Sequence, residues 1–245
     1  MFFKNKAILM IHGFVGGIYD FGSLHNELQL YRKFDVFTFT LPAHEKFIVN
    51  DVKHHEWINE ATKQIEFLIN NGYKEIYIIG HSMGGVIGTY LASKYTEVKK
   101  LVLAAPAFRY FHFKDGTLDM KSLNKSFKHI PGMIKDFNAE QIISKILKTP
   151  IPTIIEFTKL VNKYQHCVDY ITCDTLTIRG LSDTLVPDES VKHVYNSIKS
   201  KTNILLNVKD LNHDCFISPR SQELNDIVKN FLIKKSPPKK EEIEI

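Results

Sequence analysis

Cysteine is scarce in this chain: only Cys167, Cys173 and Cys215 occur among 245 residues. An odd, small number without framework spacing excludes a disulfide-stapled secreted scaffold and predicts reduced thiols and a cytoplasmic location. There is no CxxC, no HExxH and no pairing of carboxylates with histidines at ligand spacing. Neither a metal site nor any other cofactor is expected on that ground. No glycine loop has GxGxxG spacing or ends in Lys-Ser/Thr, which argues against a phosphate-binding loop. No apolar run reaches the roughly 18 residues of a membrane span. No charged-then-apolar leader precedes the first strand-like run. Internal repeats and low-complexity blocks are absent.

What remains is a composition that is 44% hydrophobic and 24% charged, that of a soluble globular chain. A chain of this length can bury roughly 70–75% of its unfolded surface, enough for one large core without staples. The formal net charge is +5. The excess is not gathered into one arm, apart from Lys99-Lys100 and the C-terminal lysines. No nucleic-acid partner is expected, and weak contact with a lipid or anionic surface is the most the charge suggests.

Short apolar, β-branched or aromatic runs at 7–11, 35–40, 75–79, 101–104, 175–178 and 204–208 read as strands. Several are apolar throughout, as parallel strands covered on both faces should be. Between them lie amphipathic helical patterns at 23–31, 54–70, 83–95, 189–200 and 221–233. Alternation of this kind predicts an α/β fold with a doubly wound, mostly parallel sheet. It breaks at 107–165, where helical patterns at 139–147 and 153–161 replace strands and aromatic residues are frequent. This segment is expected to form a helical cap over the carboxyl edge of the sheet, where such folds bind ligands. Phe108, Phe111, Phe137 and Phe157 are the candidate substrate-binding residues within it. The core is then 1–106 and 166–235. The charged tail at 236–245, with Pro237-Pro238, is expected to be disordered.

The strand at 75–79 runs into Gly80-His81-Ser82-Met83-Gly84 and then a helix. G-x-S-x-G between strand and helix places the serine on a sharp turn, with its hydroxyl projecting into the cleft. Glycines flank it because a Cβ would crowd the turn. Ser82 is therefore the candidate nucleophile. The Met83 N–H, at the helix start, is one oxyanion donor. After the first strand comes His12-Gly13-Phe14-Val15-Gly16-Gly17, and the Phe14 N–H is the candidate second donor. His12 is expected to fix this loop by hydrogen bonding. His81 should point away from Ser82.

A serine nucleophile needs a base and the base an orienting carboxylate, in the chain order Ser, acid, His. Asp183 follows the strand at 175–178, and His213 follows the strand at 204–208, so both lie at the carboxyl edge. Asp188 is expected to cap the next helix. Asp214 is too close to His213 in sequence to reach its Nδ1, and Asp169 and Asp174 precede their strand. His54 and His55 are expected in solvent at a helix start. His112, His129 and His166 are assigned to the cap.

Ile11-His12-Gly13-Phe14 with Gly16-Gly17, Gly80-His81-Ser82-Met83-Gly84-Gly85, Asp183 with Val186-Pro187, and Asn212-His213 together resemble the α/β-hydrolase superfamily. Within it, the chain is similar to small bacterial carboxylesterases and monoacylglycerol-lipase-like enzymes over nearly its whole length. The resemblance implies a Ser82–Asp183–His213 triad, an oxyanion hole from Phe14 and Met83, and a cap over an acyl pocket. The expected activity is hydrolysis of short- to medium-chain acyl esters or monoacylglycerols through an acyl-enzyme. Thioester, lactone or carbon–carbon bond hydrolysis on the same triad is the alternative, and a non-catalytic ligand-binding protein is a third. One departure stands out: where relatives often read Leu-Pro-Gly-His-Gly, this chain has Leu41-Pro42-Ala43-His44-Glu45.

Overall fold

Strands apolar on both faces must be covered on both faces, and the chain achieves this with a single parallel sheet between two helical layers. The computed structural model describes residues 5–46, 48–108, 113–114, 117–118, 148–234 and 238–245. The strands are β1 (Lys6–Ile11), β2 (Asp35–Thr38), β3 (Glu75–His81), β4 (Val98–Ala104), β5 (Phe113–Lys114), β6 (Thr117–Leu118), β7 (Asp174–Gly180), β8 (Thr202–Val208) and β9 (Lys239–Glu244). Seven of them form a sheet in the order β2-β1-β3-β4-β7-β8-β9, parallel throughout. β5 and β6 form a small antiparallel pair apart from it.

The helices are α1 (Leu24–Leu30), α2 (His54–Asn70), α3 (Met83–Lys94), α4 (Ile151–Tyr164), α5 (Asp188–Ser197) and α6 (Ser221–Ile233). Side chains alternate across each strand, and this alternation divides the core. Leu9, Ile11, Ile76, Ile78, Leu101 and Leu103 pack with Trp57, Ile65, Val86, Leu91 and Val194 of α2, α3 and α5. Met10, Ile79, Val102, Ile178 and Leu206 pack on the other face with Leu24, Leu28, Leu224 and Phe231 of α1 and α6.

β1 lies between β2 and β3, so the chain leaves it toward one side and returns on the other. The crevice at such a reversal is the natural ligand site of an open α/β sheet. The register puts Ile11 beside Gly80. The loop after β1 and the turn after β3 therefore emerge side by side, with the loops after β7 and β8 on the same edge.

Several element ends differ from the sequence reading, two of them in the edge strands. β2 stops at Thr38 rather than residue 40, and a little further on the Leu41 N–H is taken by His12 Nε2 at 3.0 Å. The tail expected to be disordered supplies β9, which pairs with β8 from Thr202↔Lys239 to Asn207↔Glu244. Composition misleads here because an edge strand is held through its backbone, and charged side chains are well suited to an edge. Asn207 Nδ2 also donates to Glu242 Oε1 at 2.6 Å, and Lys209 pairs with Glu244 at 2.7 Å.

In the insertion, the helical pattern at 153–161 lies within α4, while 139–147 falls outside the described residues. Glu156 fastens α4 to the start of α2, accepting the His54 backbone N–H at 3.1 Å and lying 2.7 Å from His54 Nδ1. Of the two histidines expected in solvent, His55 is exposed but His54 is not, because Glu156 captures it. Burial raises the Glu156 carboxyl, but the hydrogen bonds from Lys159 and His54 outweigh it and bring the group to about 2.

Candidate active site

Ser82 occupies the step from β3 to α3 with φ +52° and ψ −115°. A non-glycine residue in that region carries about 1–3 kcal/mol of strain, so the surrounding bonds must over-determine it. They do: the Ser82 N–H donates to Ala104 O at 2.9 Å, and its carbonyl accepts the N–H groups of Gly85 (2.9 Å) and Ala107 (3.3 Å). The flanking glycines are needed for contact. A Cβ on Gly80 would lie 2.7 Å from the carbonyl carbon of Gly84, and one on Gly84 would lie 2.6 Å from the carbonyl carbon of Ile11.

The loop after β1 is held from beneath. The buried Asp20 carboxylate accepts the N–H groups of Gly13 (2.8 Å, Oδ2) and Gly17 (3.0 Å, Oδ1). Val15 N–H donates to His44 Nε2 at 3.2 Å, and Gly16 N–H to Gly13 O at 3.2 Å. The N–H groups of Phe14 and Met83 donate to no atom among the described residues. Gly13 packs against the elbow, since a Cβ there would lie 3.2 Å from that of Ser82. The Phe14 ring stacks on Phe157 of α4, with centroids 4.9 Å apart and planes 9° from parallel. Its edges meet Trp57 and His44.

Two histidines in this region act as neutral hydrogen-bond bridges. His12 accepts the Leu41 N–H and donates from Nδ1 to Gly13 O at 2.9 Å. His44 accepts from Val15 and donates from Nδ1 to Pro42 O at 3.0 Å. Burial pushes His44 down to about 3 and lowers His12 as well, which suits their acceptor roles.

The turn that presents His44 contains Ala43 at φ +66°. His44 N–H closes it on Leu41 O, with Pro42 at the second position. A turn with positive φ at its third position favours glycine there. Ala43→Gly should relieve about 1–2 kcal/mol of left-handed strain and lose about 0.4–1 kcal/mol to unfolded-chain entropy. The net gain should raise Tm by about 2 °C in a chain this size, read by thermal melt. A lowered Tm would show that Ala43 is not strained.

Asp183 and His213 meet directly, with Oδ2 and Nδ1 2.9 Å apart. The other carboxylate oxygen accepts the N–H groups of Leu185 (2.8 Å) and Val186 (3.0 Å). With Nδ1–H given to Asp183, His213 keeps a lone pair on Nε2. The Ser82 hydroxyl makes no hydrogen bond among the described residues, so the structure joins Asp183 to His213 directly and Ser82 to His213 only through His81. His81 turns from the serine, as expected, and its Nε2 lies 3.0 Å from the His213 carbonyl oxygen.

Asp188 does not cap α5. It opens the helix after Pro187 and pairs with Arg179, whose Nε is 3.0 Å from Oδ1. A buried guanidinium draws the carboxylate more strongly than orphan helix amides do. Phe108 is buried, with its N–H bound to Ser190 Oγ at 2.9 Å. Phe111 and Phe137 lie outside the described residues. Asp20, the partner of His81, and His44 escaped sequence reasoning. Both are single polar residues whose partners are brought near only by tertiary structure.

The family described as serine aminopeptidase, S33, matches residues 48–220. The chain is 26% identical over 206 residues to a carboxylesterase of Bacillus subtilis (strain 168), covering 80% of this chain and 79% of that protein. It is 21% identical over 212 residues to a thermostable monoacylglycerol lipase of Bacillus sp. (strain H-257), covering 84% and 82%. A solved structure from work on LipS and LipT, two metagenome-derived lipolytic enzymes, superposes with a TM-score of 0.73 at 16% identity, covering 95% of both chains. That likeness bears on the fold.

Proposed function

Because the chain belongs to the serine aminopeptidase, S33, family of hydrolases, we propose that it is a serine carboxylesterase acting on short- to medium-chain acyl esters or monoacylglycerols. The observation that carries the reading is the 2.9 Å bond between Asp183 and His213 on the same sheet edge as the strained Ser82 elbow. The carboxylesterase and monoacylglycerol lipase among its relatives support ester over amide substrates. No helix among the described residues is long and apolar enough to cross a membrane.

His213 Nε2 removes the Ser82 hydroxyl proton as Oγ attacks the ester carbonyl carbon. A reach between these atoms that is long in the resting enzyme tightens when substrate is bound. Asp183 keeps the imidazole in the correct tautomer and stabilises its cation. The N–H groups of Phe14 and Met83 bind the oxyanion. Collapse of the tetrahedral species passes the proton from His213 to the leaving alcohol. Water, deprotonated by the same histidine, then releases the acid and restores Ser82. The acyl chain lies against the half-buried Phe14 ring, which the buried Phe157 backs.

An ester ladder of increasing acyl length tests this. Each added CH₂ should raise kcat/KM about fourfold, the equivalent of roughly 0.8 kcal/mol, until the pocket is full, and Ser82→Ala should be silent throughout. Equal rates along the ladder would remove the acyl pocket, and activity surviving in Ser82→Ala would remove the acyl-enzyme. Aminoacyl anilides and thioesters run alongside should be slower than the matched oxyester. Faster cleavage of either would reassign the substrate class.

A further inference from the structure

Asp20 and His81 lie behind the elbow, 6% and 4% exposed, and the chemistry above uses neither. His81 Nδ1 is 3.1 Å from Asp20 Oδ2, and Nε2 is 3.0 Å from the carbonyl oxygen of His213. A carbonyl only accepts, and a carboxylate that takes two backbone N–H groups is also an acceptor. Both ring nitrogens of His81 must therefore donate, and the ring is an imidazolium. We propose that Asp20 and His81 are positioning residues, a buried ion pair that locks the oxyanion loop to the histidine loop and holds His213 by its backbone. The inference rests on the esterase reading for its kinetic consequences, and its geometry stands apart from it.

The pair ties together three segments that only tertiary structure brings near. Asp20 holds Gly13 and Gly17, on either side of the Phe14 amide. His81 immediately precedes Ser82 in the chain. Its ring lies 5.0 Å from that of His213, centroid to centroid. A shift of about 1 Å in a reacting group can cost roughly 100-fold in rate, so a rigid link between the base and the oxyanion loop has kinetic consequences.

The charges facing His81 favour its cation. Burial disfavours it, but the Asp20 carboxylate, the His213 carbonyl and Asp214 outweigh that and push the ring up to about 9; His12, on the other side of Asp20, is neutral. Burial would likewise raise Asp20, but His81 and the Gly13 N–H bring it to about 2. For a raised histidine the stability contribution is complete below about 6.5 and is lost as pH rises through about 9. For the lowered aspartate it is present above about 4 and is lost as pH falls through about 2. The pair is therefore intact across neutral pH.

The test compares two amide replacements of His81. The Gln amide nitrogen reaches the place of the ring Nε2 and can still donate to His213 O; the Asn amide reaches only the place of Nδ1. Both remove the cation beside Asp20, so both should lose similar amounts of Tm. His81→Gln should keep kcat within about tenfold of wild type, whereas His81→Asn should lose about 100-fold, with KM nearly unchanged in both. Losses that are equal in the two variants, following Tm alone, would overturn the positioning role.

NMR of ¹⁵N-histidine-labelled protein at pH 7 supplies a readout independent of turnover. His81 should carry protons on both ring nitrogens. The His213 Nδ1–H signal should persist in His81→Gln and be lost in His81→Asn. A neutral His81, or a His213 signal unchanged in both variants, overturns the proposal. Wild type that neither cleaves esters nor labels with a fluorophosphonate sinks the esterase reading instead, and the NMR result then decides the positioning role alone.

Discussion

Asp183→Asn should lower kcat by about 10⁴-fold, with Tm and KM close to wild type. The size of the effect comes from tautomer control. In the native protein one carboxylate oxygen receives the N–H groups of Leu185 and Val186 and the other receives His213 Nδ1–H. The two backbone donors fix which way an asparagine amide must turn, because its oxygen has to face them. The NH₂ group then points at His213 Nδ1 and can be accommodated only if that nitrogen becomes an acceptor. The proton moves to Nε2, and the lone pair that should receive the Ser82 proton is gone. The side chain is nearly isosteric and keeps its bonds to the turn, so the fold has little reason to change. Steady-state kinetics with a short acyl ester, together with a thermal melt, checks the prediction. A loss below about tenfold would remove Asp183 as the orienting group, since tautomer control of the kind required is worth far more.

The residues legible in the sequence are those whose chemistry is stated by local pattern. Six strands were readable because burial on both faces demands runs such as Ile76-Tyr77-Ile78-Ile79, and the elbow because the strain at Ser82 needs glycines at fixed offsets. That Asp183 and His213 could meet was readable because loops after β7 and β8 must open on the same edge. β9 was hidden because its side chains are mostly charged and its pairing is carried by the backbone. Asp20 was hidden for a different reason. One aspartate in a loop has many roles open to it, and only the approach of β1 to β3 puts it against His81. His54 was misplaced for the same reason, because its partner Glu156 is 102 residues away. The motifs therefore point to the candidate reacting groups, while the polar residues that brace them depend on this chain's own tertiary contacts.

Gly84→Ala carries the second large effect, and two opposing magnitudes decide its sign. Gly84 lies in the first turn of α3, and helix propensity alone favours alanine over glycine by about 1 kcal/mol. Against this stands the approach of α3 to β1. A Cβ on Gly84 would lie 2.6 Å from the Ile11 carbonyl carbon and 2.7 Å from the His12 carbonyl oxygen. Both are backbone atoms at the end of a central strand, so neither can rotate away. Relief requires α3 to lift from the sheet, carrying with it the Met83 N–H and the turn that strains Ser82. The expected destabilisation is about 3 kcal/mol or more, in the range reserved for severe core overpacking, or a fall in Tm of roughly 6–12 °C. Fluorophosphonate labelling of the fraction that remains folded should fall further still, because the proposed oxyanion donor, the Met83 N–H, and the proposed nucleophile, Ser82, move together. Gly85→Ala is the control. Its Cβ would come no nearer than 3.2 Å to the Pro106 Cβ, with Pro106 Cα at 3.4 Å and Leu103 Cδ2 at 3.6 Å, so its effect should stay within about 1 kcal/mol. If Gly84→Ala instead melts at or above the wild-type temperature, helix propensity has won and the close approach of α3 to β1 is not what shapes the elbow.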